Sequence, residues 1–178
     1  MIVPYGQKGV YVGRGSTKKD KSIYQTSREA LGLTREKASE VLGYLSPEKI
    51  EKIENAKVNI QPEDVVAMAN GYKAPGLCNY YCANECPIGQ RSVPEVKMKE
   101  LSQITIETLS ALSKIEKETD RLVEIVEDGK ITPDEYEDFL HIKSTLDKIS
   151  LSVDSLQLWV DQAVADGTID EEALKKKK

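Results

Sequence analysis

The strongest constraint on the fold is a regular apolar pattern in the second half of the chain. From Pro94 onward, apolar and threonine side chains recur at alternating spacings of three and four residues in two long segments. This is the heptad period of α-helices that pack along a seam, so the pattern predicts two long helices. The first predicted seam is Met98, Leu101, Thr105, Thr108, Leu112, Ile115, Thr119, Leu122 and Val126, and the second is Phe139, Ile142, Leu146, Ile149, Val153, Leu156, Val160 and Ala163.

Helix start and stop signals separate these two seams. Gly129 is suited to end the first helix, and Thr132 and Glu135 form a capping box around Pro133 at the start of the second. The short connection predicts an antiparallel, coiled-coil-like helical hairpin over residues 94–178, with arms roughly 45–50 Å long. Apolar residues outside the seams predict a second contact face, most simply that of a homodimer forming a four-helix bundle: Ile104, Leu109, Leu140, Leu158 and Trp159.

The charge of the chain is unevenly distributed. The whole chain has net charge −5, but residues 1–21 carry five basic and one acidic side chain, whereas residues 93–178 carry twelve basic and twenty acidic ones. Residues 1–21 are therefore predicted to form a flexible basic arm. The acidic C-terminal half would be repelled by phosphate, so a contact with nucleic acid is not expected there.

Several classes of protein find no support in the sequence. No apolar run is long enough to span a bilayer, and the first residues lack the apolar stretch of a signal peptide, so a cytoplasmic protein without a membrane partner is expected. There is no Ser/His/Asp set, no glycine-rich phosphate loop and no carboxylate pair in a predictable pocket. The chain is therefore predicted not to be an enzyme, and no small-molecule substrate is evident.

Between the basic arm and the hairpin, start and stop signals follow one another closely enough for four short helices. Gly32 and Gly43 are suited to end the first and second helix, and Thr34 and Ser46 are suited to cap the second and third. A fourth helix is predicted from about Pro62 to Tyr72. With only 6% aromatic residues, the chain as a whole is predicted to be all-α, with thin apolar stripes rather than a thick core.

These residues resemble the lambda-repressor/Cro-like (XRE) helix-turn-helix family over residues 22–76. The matching segments are Leu33–Gly43, Leu45–Ser46, Ile50–Lys57 and Gln61–Ala69. Two departures stand out. Tyr44 and Leu45 take the place of a single residue in the turn, and Ala56 replaces a glycine after the third helix, where Asn55 is predicted to adopt the left-handed conformation instead.

The resemblance implies a DNA-binding transcriptional regulator that addresses paired half-sites of double-stranded DNA as a homodimer, joined by the predicted hairpin. In the family the third helix enters the major groove, and the flanking helix ends contact phosphates. The residues that this implies for DNA binding are Arg35, Ser46, Glu48, Lys49, Lys52 and Lys57.

The composition of the third helix also permits a different interpretation. Alternating Glu and Lys is typical of an ordinary solvated helix, and Glu48, Glu51 and Glu54 oppose phosphate binding. The alternative hypothesis is a protein-interaction adaptor that keeps the helix-turn-helix scaffold without specific DNA binding.

Three clustered cysteines lie in the predicted connector, residues 77–93. Cys78, Cys82 and Cys86 are four residues apart, so on a continuous helix the outer pair lies too far apart for one zinc ion. A zinc or iron–sulfur site would need a bend and a further ligand, and it would make the chain a thiol- or metal-responsive sensor. The other interpretations are three small buried side chains that pack the junction, or a redox-switched disulfide.

Overall fold

The computed structural model describes residues 21–175, which fall into two compact units that divide between Tyr72 and Lys73. The described part of the first unit contains four helices: α1 (Ile23–Ala30), α2 (Arg35–Leu42), α3 (Pro47–Glu54) and α4 (Pro62–Gly71). The second contains α5 (Gly76–Asn84), α6 (Gly89–Ser92), α7 (Leu101–Val126), α8 (Tyr136–Ala165) and α9 (Glu171–Lys175). The all-α prediction is confirmed, since the described residues include no strand. The predicted basic arm lies outside them except for Lys21.

The starts of α2 and α3 are set by the predicted caps. The side chains of Thr34 and Ser46 accept hydrogen bonds from the backbone N–H groups of Lys37 and Lys49, each at 3.3 Å. Such bonds satisfy donors that have no partner within the helix. The four helices enclose a small core of Tyr24, Ala38, Leu42, Leu45, Ile50, Ile53, Ile60, Val65, Met68, Ala69 and Tyr72.

The end of α3 departs from the prediction. Asn55 has a φ of −99°, and Ala56 takes the left-handed conformation with a φ of +52°, so the assignment of that conformation to Asn55 is wrong. The N–H of Lys57 donates to the carbonyl of Lys52 and the N–H of Ala56 to that of Ile53. This is the Schellman arrangement, and it requires a positive φ at Ala56 rather than one residue earlier.

Ala56→Gly is expected to stabilise the first unit by about 1 kcal/mol, because glycine adopts a positive φ without the steric cost that alanine carries. Chemical denaturation followed by circular dichroism measures the change. Ala30→Gly at the last residue of α1 is the matched control, and it is expected to destabilise the unit by up to about 1 kcal/mol because its conformation is helical. Equal effects of the two changes would contradict this account.

The second unit contains the predicted hairpin, in which α7 packs along α8. The buried seam, however, shares only Ile142 and Ala163 with the predicted one. Side chains buried in the two helices are Ile104, Ala111 and Ile125 of α7, and Ile142, Thr145, Ser152, Ser155, Leu158 and Ala163 of α8. Small side chains such as Ala111 and Ser152 permit a close helix–helix approach.

The buried hydroxyl groups of α8 bond to the helix itself. Ser152 donates to the carbonyl of Lys148 at 2.9 Å, Ser155 to that of Leu151 at 2.7 Å, and Thr145 to that of His141 at 3.3 Å. Bonds to the carbonyl four residues back let hydroxyl side chains lie in an apolar seam without an unsatisfied polar atom.

Five large aliphatic residues of the predicted seams form instead an exposed row, named here the hairpin face. They are Leu112, Val126, Leu146, Val153 and Leu156, with exposed fractions between 43% and 58%. Each follows a buried residue by one position and so lies about 100° further around its helix. Because α7 and α8 run antiparallel, this rotation takes both sets to the same side of the hairpin.

The five residues predicted to lie outside the seams differ in burial, and Trp159 is of intermediate exposure. Ile104 and Leu158 are buried within the second unit, so they do not form the predicted second contact face. Leu109 and Leu140 are exposed, each to 61%. The second unit therefore does have an apolar surface outside its seam, but it is made largely of the residues expected inside.

The segment before α7 is fixed by close contacts within the second unit. Gly89 lies against the backbone of α5, where an added Cβ would be 2.1 Å from the carbonyl oxygen of Cys82. Further along, the Asn79 side chain donates to the carbonyl of Pro94 at 3.0 Å and accepts from the N–H of Val96 at 2.8 Å.

Within the described residues, no helix combines the length and apolar character needed to cross a membrane.

Gly89→Ala is expected to destabilise the second unit by about 1–3 kcal/mol, because the new methyl group meets backbone that cannot rotate away. Urea denaturation followed by the fluorescence of Trp159, the single tryptophan of the chain, reports on this unit. Gly76→Ala is the control, since an added Cβ there lies 3.8 Å from Leu158 in ordinary contact. A loss as large for Gly76→Ala as for Gly89→Ala would contradict the prediction.

Candidate nucleic-acid interface

The turn between α2 and α3 accommodates its extra residue because one of its two side chains is buried and the other is exposed. Gly43 takes a φ of +78°, which sends the chain away from α2. Leu45 then packs into the core, whereas Tyr44 stays exposed and its hydroxyl donates to the carbonyl of Glu63 at 3.0 Å. The additional residue thus leaves the helix-turn-helix arrangement of α2 and α3 intact.

A buried ionic cluster joins α1, α2 and α3. The Glu54 carboxylate is fully buried, and it accepts from Arg28 Nη2 at 3.1 Å and from Arg35 Nε at 2.9 Å. Arg28 also donates to the carbonyl of Leu33. The idea that Glu54 opposes phosphate binding is therefore wrong, because its charge lies inside the unit and is balanced there.

Two neighbours show how strongly the buried carboxylate acts. Burial would lower the pKa of Arg28, but the hydrogen bond and the charge of Glu54 outweigh that effect and raise it above its ordinary value. For Tyr72, burial together with the negative charge of Glu54 raises the pKa to about 12. Both effects favour a charged Arg28 and a neutral Tyr72 beside Glu54.

Two of the residues predicted to contact DNA form internal ion pairs. Arg35, predicted to contact phosphate, is two-thirds buried and its Nε binds Glu54. Lys49, predicted to reach base edges, places its Nζ 2.9 Å and 2.8 Å from the two carboxylate oxygens of Asp64 at the start of α4. Both positive charges are therefore partly neutralised by carboxylates of the same unit.

The other four predicted residues lie on an open surface. Ser46 and Glu48 are exposed at the start of α3. The pKa of Glu48 is lowered because its carboxylate accepts hydrogen bonds from the backbone N–H of Glu48 and from the side chain of Ser46. Lys52 is exposed and pairs with no acidic side chain of the described residues. Lys57 lies 3.7 Å from Glu51 with both side chains about half exposed, a weak pair.

One exposed cation was missed by the sequence analysis. Lys37 lies in the first turn of α2 and, like Lys52, has no ion-pair partner among residues 21–175. The signal was present, because Thr34 as the cap of α2 places Lys37 at the helix end that faces phosphate in helix-turn-helix domains. Lys37, Ser46, Lys52 and Lys57 are all exposed, and they are named here the exposed polar surface of α2, α3 and the turns beside α3.

The three cysteines are free thiols of intermediate exposure. Cys78 and Cys82 lie one turn apart in α5, and Cys86 follows the end of that helix. Burial, with smaller effects of Cys82 and Asp161, raises the pKa of the Cys78 thiol. The part of the chain that the structure describes holds no group of three or more His, Cys, Asp or Glu side chains that could bind a metal ion. A zinc or iron–sulfur form of this segment stays a prediction, which metal analysis of the anaerobically purified protein would test.

Comparison with known protein families supports the interpretation of this region. Residues 25–77 match the family model described as helix-turn-helix domain, a range that runs from the third residue of α1 to the second residue of α5. The resemblance of this segment to helix-turn-helix proteins is thereby confirmed. No curated protein and no solved structure matches the chain. A helix-turn-helix domain is typical of a DNA-binding regulator rather than of an enzyme.

Proposed function

We propose that the chain is a cytoplasmic transcriptional regulator of the XRE type, without catalytic activity, whose helix α3 enters the major groove of double-stranded DNA. The observation that carries this proposal is the match of residues 25–77 to the helix-turn-helix domain. The exposed polar surface beside α3 supports it, since the isoleucine side chains of that helix are buried whereas Glu48 and Lys52 are exposed.

The proposed contacts follow from exposure and charge. Lys52 is an exposed cation of α3 that forms no ion pair among the described residues, and it is suited to a guanine edge or a phosphate. Lys37 and Lys57 are suited to phosphates beside the groove. Ser46 can donate to a base edge or phosphate, and Glu48 can accept from the amino group of cytosine. Arg35 and Lys49 contribute less to this surface because each is bound to an internal carboxylate.

The proposal includes a homodimer formed through the hairpin. Its support is the hairpin face, which is made of aliphatic residues although the C-terminal half of the chain is strongly acidic. With Leu101, Leu109 and Val123, eight half-exposed side chains leave on the order of 600 Å² of apolar surface per copy. Two copies joined through this face would bury about 1,200 Å², the lower end of stable protein interfaces.

Selection from a library of randomised duplexes tests the proposed DNA binding directly. The full chain is expected to enrich a sequence with two half-sites about one helical turn apart, because a twofold dimer presents two α3 helices. Lys52→Ala is expected to weaken binding to the selected duplex by about fivefold to tenfold. Recovery of duplexes without any shared sequence from the full chain would refute sequence-specific binding.

A second candidate function has a specific observation in its favour. Two of the six side chains predicted to bind DNA are held by internal carboxylates, and a third, Glu48, is negative and exposed. A protein-interaction adaptor built on the same scaffold would show this pattern. Binding to a heparin column and to duplex DNA at low salt distinguishes the two functions. A DNA-binding regulator would bind to both, whereas the adaptor would bind to neither.

A further inference from the structure

Lys49 and Asp64 form an ion pair of unequal exposure. Lys49 lies in the first turn of α3, the turn whose side chains reach base edges in helix-turn-helix domains. Its side chain is 44% exposed, whereas that of Asp64 is only 3% exposed. A carboxylate so deeply buried needs a compensating charge, and the Lys49 ammonium, within 2.9 Å of both its oxygens, supplies it.

The surroundings of Asp64 leave Lys49 as its charge partner. Asp64 lies in the first turn of α4, beside Tyr44, a neutral group whose hydroxyl donates to the carbonyl of Glu63 and also lies next to the Asp64 carboxylate. Among the described residues, Lys49 is the one cation in an ion pair with Asp64. Moving Lys49 toward DNA would therefore leave a buried carboxylate without a charge partner, which costs more than a solvent-exposed phosphate contact returns.

We propose that Asp64, which does not itself contact DNA, determines which lysine of α3 does: it holds Lys49 against α4, so that Lys52 is the principal cation of the helix in the groove. Asp64 is then a positioning residue that limits both the affinity and the salt dependence of DNA binding. This inference rests on the proposed DNA-binding function. It distinguishes two lysines that composition and helix register alone would treat as equivalent.

The test compares single and double variants of the full chain by fluorescence anisotropy, on one labelled duplex over a range of salt concentrations. Lys49→Ala is expected to change affinity less than twofold, while Lys52→Ala lowers it about fivefold to tenfold. Asp64→Asn is expected to raise affinity several-fold and to steepen the dependence of log K on log salt by about 0.9, because one more cation becomes available. The double variant Lys49→Ala/Asp64→Asn is expected to return to the affinity of the parent chain.

Glu63→Gln is the matched control, since it removes a neighbouring exposed carboxylate from α4 without releasing Lys49. A gain from Glu63→Gln equal to that from Asp64→Asn would show that net charge alone is responsible, and it would overturn the inference. So would a loss for Lys49→Ala as large as that for Lys52→Ala, with circular dichroism showing both variants folded like the parent chain. If the parent chain binds no duplex at all, the proposed function fails, a result distinct from either of these.

Discussion

Glu54→Ala is expected to destabilise the first unit by about 3–5 kcal/mol, because it leaves the buried Arg28 with only Glu29, 3.7 Å away, to balance its charge. Arg28 is only 5% exposed, so water cannot replace the lost carboxylate. The expected loss is comparable to the whole stability of many small domains, so the variant should unfold this unit at ordinary temperatures. Chemical denaturation followed by far-ultraviolet circular dichroism measures the loss.

Glu51→Ala is the matched control for this change. Glu51 is on the same helix, its side chain is about half exposed, and it forms only the weak pair with Lys57. Its replacement is expected to cost well under 1 kcal/mol. The fluorescence of Trp159 in α8 should show the second unit unchanged in both variants. Similar losses for Glu54→Ala and Glu51→Ala would contradict the role given to the buried cluster.

Leu146→Glu/Val153→Glu is expected to abolish the proposed dimer, because it places two negative charges in the middle of the hairpin face. Light scattering of the parent chain should give a mass about twice the monomer mass of 19.8 kDa, and the double variant should give the monomer mass. DNA affinity should fall as well, because a monomer engages a single half-site.

The control for the dimer is Leu140→Glu. Leu140 is an exposed leucine of the same helix, but it lies roughly a third of a turn or more away from the hairpin face. The dimer should survive this replacement. A monomer mass for the parent chain at micromolar concentrations would refute the proposed homodimer. If Leu140→Glu disrupted the dimer as much as Leu146→Glu/Val153→Glu does, the interface would not be the hairpin face.

Local signals predicted the helices of the first unit well. Thr34 and Ser46 cap α2 and α3 as expected. Each hydroxyl accepts a hydrogen bond from a backbone N–H only three residues later, so the cap depends on local sequence and needs no tertiary contact. The left-handed residue after α3 was misplaced by one position. Intrinsic preference favours Asn55 there, but the hydrogen-bonding register of the helix end requires Ala56.

The hairpin could be predicted from its period, but the identity of its seam could not. The period marks a row of large aliphatic residues such as Leu112 and Val153. Because this row is the most apolar one, it is predicted to face the partner helix. In the structure that place belongs to Ala111 and Ser152, one residue earlier. A serine that bonds to its own helix can be buried, and this possibility cannot be recognised from polarity alone.

The ion pairs of the candidate site depend on contacts between residues far apart in sequence. Lys49 and Asp64 are 15 residues apart, and Arg28 and Glu54 are 26 apart. Alternating charges on α3 predicted an exposed helix, but they did not show which charges are bound by neighbouring helices. Lys49 is paired and Lys52 is exposed because Asp64 of α4 lies beside Lys49, and this position of Asp64 is known only from the structure.

The central claim is that α3 of the helix-turn-helix domain binds DNA, and salt-dependent titration of a duplex tests it most directly. If α3 binds DNA, log K falls linearly with log salt, and Lys52→Ala lowers both the affinity and the magnitude of the slope, the slope by about 0.9. Lys130→Ala in the hairpin connection, the matched control, should change neither. Absence of binding at low salt, or equal effects of the two replacements, would contradict the claim.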